Sequence, residues 1–133
     1  MFVVNNNMKK LPDSELEIMQ VIWGEKPPIS TGRVREILNE RRKKDLNIST
    51  VQTLLNRLIK KEFLCAEKIG KEKVYFPLVE EHKYLHFEAE HFIGKLFGNS
   101  LPNLVTTLYK HKSISQKDIE DIADWFSEQV KED

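Results

Sequence analysis

The chain has 133 residues, one cysteine and no apolar run of membrane-span length, so it suits one ordinary domain or a small domain with an appendage. A single cysteine, Cys65, excludes an intrachain disulfide and a cysteine cluster for zinc or copper. Lys plus Arg and Asp plus Glu both number 21, and this zero net charge argues at first against a nucleic-acid binder. The halves differ, however. Residues 1–80 hold 15 basic and 11 acidic residues, a net of +4, and residues 81–133 hold 6 and 10, a net of −4. The excess is sharper over residues 33–73, with 12 basic and 6 acidic residues. Such asymmetry points to a basic binding module joined to an acidic one.

The first ten residues, MFVVNNNMKK, carry no charged segment ahead of their short apolar cluster. They do not read as a secretory signal. A flexible N-terminus over residues 1–10 and a cytoplasmic location are expected. Helix signals begin at Leu11-Pro12-Asp13-Ser14. Ser14 followed by Glu17 reads as a capping box, with Asp13 an alternative cap. Leu16, Met19 and Trp23 give an inward stripe, widened by Ile18 and Ile22, and Gly24 stops the helix. Ile29 is a lone extended residue that can pair with a later sheet. Ser30 caps a second helix with Val34, Ile37 and Leu38 on its core side. That helix ends in Arg41-Arg42-Lys43-Lys44, either a solvated end that complements the helix dipole or a phosphate anchor.

Asn47 to Lys61 reads as a helix with two dissimilar faces, capped by Ser49 or Asn47. Val51, Leu54, Leu55 and Leu58 recur at i, i+3, i+4 and i+7, an apolar stripe for a core. Gln52, Thr53, Asn56, Arg57 and Lys60 make an outward stripe. Gln and Asn can pair with adenine edges, Arg with guanine O6 and N7, and Thr with a base or a thymine methyl. A solvated helix face is usually rich in Glu, yet no acid falls between Asn47 and Lys61. Two short helices and a tight turn leading into a polar-faced helix form a helix-turn-helix pattern.

After Glu62 the period changes to that of strands, Phe63 to Ile69 and Lys73 to Leu78, joined by a Gly70-Lys71-Glu72 turn. Lys68, Lys71 and Lys73 sit at the tip. A basic two-stranded ribbon after a recognition helix reads as the wing of a winged helix. From Glu80 the chain is helical again. Leu85, Ala89, Phe92, Ile93, Leu96 and Phe97 form a broad apolar face up to Gly98. Ser100 restarts the helix with Pro102 in its first turn. Ser115 caps a last helix bearing Ile119, Ile122, Ala123, Phe126 and Val130. These helices carry more large apolar residues than they can bury on each other. A second copy of the segment is the simplest cover, which predicts a symmetric homodimer and a pseudo-palindromic operator.

The order L-P-D-S-E-L-E-I-M-Q-V-I-W, then S-T-V-Q-T-L-L-N-R-L-I-K-K, then V-Y-F-P-L-V resembles the penicillinase repressor and methicillin-resistance repressor family (BlaI/MecI). The resemblance covers about residues 11 to 126, and Trp23, Thr50, Thr53, Arg57 and Leu58 fall in the family's register. It implies a dimeric winged-helix repressor of β-lactam-resistance or related stress genes. It also implies a membrane sensor-protease system whose action ends in cleavage of the repressor within its dimerisation helix. The matching bond here is His91–Phe92, where the family usually carries Asn before the cut and this chain carries His. The related copper repressor CopY has a C-terminal Cys-x-Cys pair of motifs. No cysteine follows Cys65 here, so copper sensing of that kind is not implied.

Other chemistry is poorly supported. His82, His86 and Glu90 share one helix face at i, i+4 and i+8, and two such His can hold a metal. With no third ligand legible, the face is read as solvated, and neither metal nor cofactor is expected. There is no glycine-rich phosphate loop, H-E-x-x-H or G-x-S-x-G, so no enzyme is expected. The expected fold is mostly α with a small β ribbon: a winged helix-turn-helix domain over residues 11–79 and a three-helix dimerisation domain over residues 80–133. Double-stranded DNA would meet Ser49, Thr50, Gln52, Thr53, Asn56 and Arg57, with Lys60, Lys61, Lys71 and Lys73 on phosphates. Leu85, Ala89, Phe92, Ile93, Leu96, Ile119, Ile122 and Phe126 would form the dimer face. The competing reading is a winged-helix adaptor that docks proteins without specific DNA binding.

Overall fold

The computed structural model describes residues 8–131. The flexible extension expected at the N-terminus lies outside this range for residues 1–7. Met8, the first described residue, is half-buried and packs against the core. The described chain forms two compact units, residues 8–88 and 89–131.

The first unit opens with α1 (Asp13–Trp23). Pro12, not Ser14, is its N-cap, and no side chain caps it. The Pro12 carbonyl accepts from Leu16 N–H at 2.9 Å, so the helix begins before Ser14 and the expected capping box cannot close. Glu17 instead reaches the guanidinium of Arg42 with both carboxylate oxygens. That hydrogen bonding holds the Glu17 carboxyl below its ordinary range and raises Arg42. Ile18, Met19, Val21 and Ile22 are fully buried, while Leu16 and Trp23 pack at the core's edge. Glycine at the C-cap then ends α1.

A two-residue strand, β1 (Ile29–Ser30), leads into α2 (Thr31–Arg42), and Ser30 Oγ accepts from Arg33 N–H at 3.1 Å. The turn to α3 (Ile48–Lys60) is braced from α2. Arg35 Nε donates to Leu46 O at 2.7 Å, and Leu46 N–H donates to Asn39 Oδ1 at 2.8 Å. α3 buries Val51, Leu55 and Leu58 completely. Its end is a Schellman motif. Phe63 N–H donates to Leu58 O and Glu62 N–H to Ile59 O, with Glu62 left-handed at φ 65°.

The ribbon consists of β2 (Leu64–Ile69) and β3 (Glu72–Pro77). The three strands form an antiparallel sheet in the order β1-β3-β2, with Ile29 opposite Tyr75 and Ala66 opposite Tyr75 on the other side. The ribbon turn is one residue shorter than expected. Ile69 pairs with Glu72, leaving Gly70-Lys71, and Gly70 takes φ 65°. Tyr84, in the first turns of α4 (Glu81–Phe97), completes this unit's core. Its ring lies 5.6–6.0 Å from those of Phe63, Trp23 and Phe87, and its hydroxyl accepts from Leu11 N–H at 2.8 Å. Burial and the nearby Glu88 carboxylate push the Tyr84 phenol well above its ordinary pKa.

The second unit holds the rest of α4, then α5 (Leu101–Lys110) and α6 (Gln116–Lys131). Ser100 caps α5 through Asn103 N–H, and Pro102 lies in its first turn. Ser115 and Asp118 exchange side-chain bonds to each other's N–H groups, a capping box at the start of α6. Among the described residues after Tyr84, no side chain is fully buried.

The left-handed Glu62 makes a testable point about α3's end. A Cβ in this conformation costs about 1–2 kcal/mol, part of which glycine recovers after its own unfolded-state entropy. Glu62→Gly is expected to raise stability by roughly 0.5–1 kcal/mol in urea unfolding.

Candidate nucleic-acid interface

The outward side of α3 is built on its cap. Asn47 Oδ1 accepts from Thr50 N–H at 2.9 Å, from Thr50 Oγ1 at 3.0 Å and from Ser49 Oγ at 2.7 Å. Thr53 Oγ1 donates back to Ser49 O at 2.9 Å. The hydroxyl protons of Ser49, Thr50 and Thr53 are therefore engaged, and on these exposed residues each oxygen keeps its lone pairs as an acceptor. Asn56 and Arg57 are exposed further along the same face, followed by Lys60. No acidic residue interrupts this row.

Gln52 differs from its neighbours in being half-buried. Its Nε2 donates to Tyr75 Oη at 2.8 Å and to Asn56 Oδ1 at 3.1 Å. Thr31 Oγ1 sits 3.3 Å from Tyr75 Oη and 3.4 Å from Gln52 Oε1. The start of α2, the middle of α3 and strand β3 thus meet in one polar network. Asn56 spends its carbonyl on Gln52 and keeps its amide donors. Thr31 and Tyr75 were not among the residues expected from sequence. Tyr75 was legible only as a residue of a strand, and nothing in the local pattern ties its hydroxyl to Gln52.

The two clusters of basic residues separate by role. On the ribbon, Lys71 is exposed at the turn, and Lys73 Nζ lies 5.7 Å from the centre of the Tyr75 ring. Lys68 stands directly opposite Lys73. Like charges placed this way repel, and an anion would relieve them. At the end of α2, Arg42 is committed to Glu17, so only part of that basic cluster faces solvent. Lys61, expected on a phosphate, has another task. Its Nζ donates at 2.5 Å to Glu15, whose side chain is 3% exposed. A buried carboxylate requires a partner, and Lys61 supplies it from the surface.

In the helical segment, Leu85, Ala89, Phe92, Leu96, Ile122 and Phe126 are exposed, and Ile93 and Ile119 are half-buried. Leu101, Tyr109, Trp125 and Val130 add further exposed apolar surface. His91 and Phe92, the bond matched to a cleavage position, both lie exposed on α4. Among the described residues no group of three or more His, Cys, Asp or Glu is placed to hold a metal ion. No described helix is long and apolar enough to cross a membrane.

Three helices, a short tying strand and a basic ribbon beside a polar-faced third helix define a winged helix-turn-helix protein. Residues 11–128 match the model of the penicillinase repressor family, and the chain belongs to that family. It is 32% identical over 119 residues to the penicillinase repressor of Bacillus licheniformis, covering 86% of this chain and 90% of that one. It is 29% identical over 119 residues to the methicillin resistance regulatory protein MecI of Staphylococcus aureus, covering 90% and 94% of the two chains. Among solved structures it is similar to the solution structure of the DNA-binding domain of the repressor BlaI. The identity there is 40%, with 58% of this chain and 94% of that chain covered and a TM-score of 0.48.

The Glu15–Lys61 pair separates a structural lysine from a surface one. Lys61→Ala leaves the buried carboxylate without a counter-charge and is expected to cost about 2 kcal/mol, less than a fully enclosed pair because Lys61 is partly solvated. Urea unfolding of the variant checks this. A change within about 0.5 kcal/mol would mean that Lys61 is an ordinary surface residue.

Proposed function

We propose that this chain is a sequence-specific repressor that binds duplex DNA as a homodimer on a pseudo-palindromic operator. The carrying observation is the outward row of α3. Its acceptors, amide donors and guanidinium lie on one face, without an acid, on a helix whose opposite face is locked in the core. In this reading Thr53, Asn56 and Arg57 meet base edges in the major groove, and Ser49 and Thr50 approach at the N-terminal end. Gln52 contributes from the position that Tyr75 gives it. Lys60, Lys71 and Lys73 contact phosphates. Lys61 is reassigned to the fold, because its ammonium is spent on Glu15.

The helical segment supplies the second half of the proposal. Its apolar side chains are exposed and its described residues build no buried core, which supports pairing with a second copy. The names of the relatives support control of β-lactam-resistance genes. Release of repression would follow cleavage at His91–Phe92 by a membrane sensor-protease. The exposure of both residues on α4 is compatible with that step. The residues fit a regulator in a cytoplasmic setting and suggest no catalysis.

Selection of bound sequences from a random duplex pool tests DNA binding, symmetry and half-site spacing together. An enriched two-fold symmetric sequence is the expected result, and recovery of no duplex at low salt would favour a protein-docking adaptor instead. Arg57→Ala should weaken binding to the selected duplex by roughly 1–3 kcal/mol more than to a shuffled one. Equal losses on both would move Arg57 to the phosphate class. Phe92→Asp should convert the dimer to a monomer in sedimentation, and an unchanged dimer would reject this face.

A further inference from the structure

A hollow of about 430 Å³ lies where the N-terminal segment meets the end of α3, lined by Lys9, Lys10, Pro12, Lys60, Lys61, Glu62 and Phe63. Lys61 is neutralised by Glu15. Lys9, Lys10 and Lys60 are exposed and make no ion pair with any described residue, which leaves three cations around the hollow against Glu62. Lys60 belongs to two surfaces at once. It lines this hollow, and it stands three and four residues beyond Arg57 and Asn56 on the outward row of α3. The positive surface therefore continues past the C-terminal end of the recognition helix onto the N-terminal segment.

That segment is held in place. Leu11 is buried, and its N–H is bound at 2.8 Å by the hydroxyl of Tyr84. Met8 packs against the core on the other side. Lys9 and Lys10 are thus tethered between two anchors. Their contact with an anion costs less conformational entropy than contact by a free tail would. The uncompensated repulsion among three lysines also favours an anionic occupant.

We infer that Lys9 and Lys10, together with Lys60, form a phosphate clamp that grips the DNA backbone at the flank of each half-site. The clamp adds affinity without reading sequence. This rests on the proposed DNA binding and extends its footprint beyond the recognition helix and the wing. A backbone strand is favoured over a small free anion because Lys60 joins the hollow directly to the row that would face the groove.

The test uses the full chain, the duplex selected from the random pool and a shuffled duplex, with binding followed by fluorescence anisotropy over a series of salt concentrations. Each phosphate contact contributes about 0.9 to the slope of log affinity against log salt. Lys9→Ala/Lys10→Ala removes two contacts from each protomer of the dimer and is expected to lower the slope's magnitude by about 3.6, and to weaken both duplexes by a similar factor, at least roughly tenfold at low salt. Lys60→Ala, one contact in each protomer, should lower the slope by about 1.8. Neither change touches a buried side chain, so unfolding midpoints should match the wild type, and Lys10→Ala alone decides if the double variant proves unstable. A slope equal to that of the wild type, or a loss confined to the selected duplex, would overturn the clamp while leaving DNA binding intact. A wild-type chain that binds neither duplex would instead remove the reading on which the clamp rests.

Discussion

Burial of Val51, Leu55 and Leu58 sets the rotation of α3 about its own axis. All three are fully buried, and each contributes about 1.5–3 kcal/mol by leaving water. Their sum is comparable to the whole net stability of an ordinary domain. Turning the helix by one residue, about 100°, would expose much of that surface, so no alternative rotation competes. The outward row is fixed by the same constraint, since a helix cannot bury one face without presenting the other. The proposed interface is thus a consequence of the core more than of any interaction made by the outward residues themselves.

The polar contacts around α3 place it more finely. A neutral hydrogen bond contributes about 1 kcal/mol net, small beside the burial of the apolar stripe. The value of these bonds lies in position. Arg35 and Asn39 brace the turn before α3, and the Asn47 cap orients Ser49 and Thr50. Tyr75, fully buried, brings the ribbon strand to Gln52. Helix and ribbon are therefore linked by a side chain as well as by packing, and a surface meant to read DNA gains pre-organisation from it.

The second unit follows a different rule. Its helices begin with good caps, but its large apolar residues find no enclosed core among the described residues. Isolated short helices are marginal in water, so such a segment draws most of its stability from what covers it. A symmetric partner is the economical cover, and it would couple repression to assembly. Anything that cut α4 near His91 would then weaken the cover and the paired placement of two recognition helices together.

Much of this was legible in the residues. The 3.6-residue period located α3 and both of its faces, the Ser30, Ser100 and Ser115 caps marked helix starts, Asn47 and Ser49 were the two candidates of which Asn47 caps α3, and the strand period with Gly70 marked the ribbon. These are local signals, carried by neighbours within one or two turns. Tertiary contacts altered or added to these readings. The capping box at Ser14 gave way because α1 starts from Pro12 as its N-cap, and Glu17, freed from that role, pairs with Arg42, 25 residues away in the chain. Lys61 passed from a phosphate to Glu15 because α1 packs its one buried acid against the end of α3. Tyr75 came beside Gln52 only when β3 met α3, and Lys9 and Lys10 came beside the end of α3 only when Tyr84 met Leu11. The sequence by itself determined which segments are helix or strand and which faces are apolar, because period and capping act over short distances. Tertiary structure alone decided which charged and polar side chains stay free for a partner, because pairing depends on which distant residue arrives beside them.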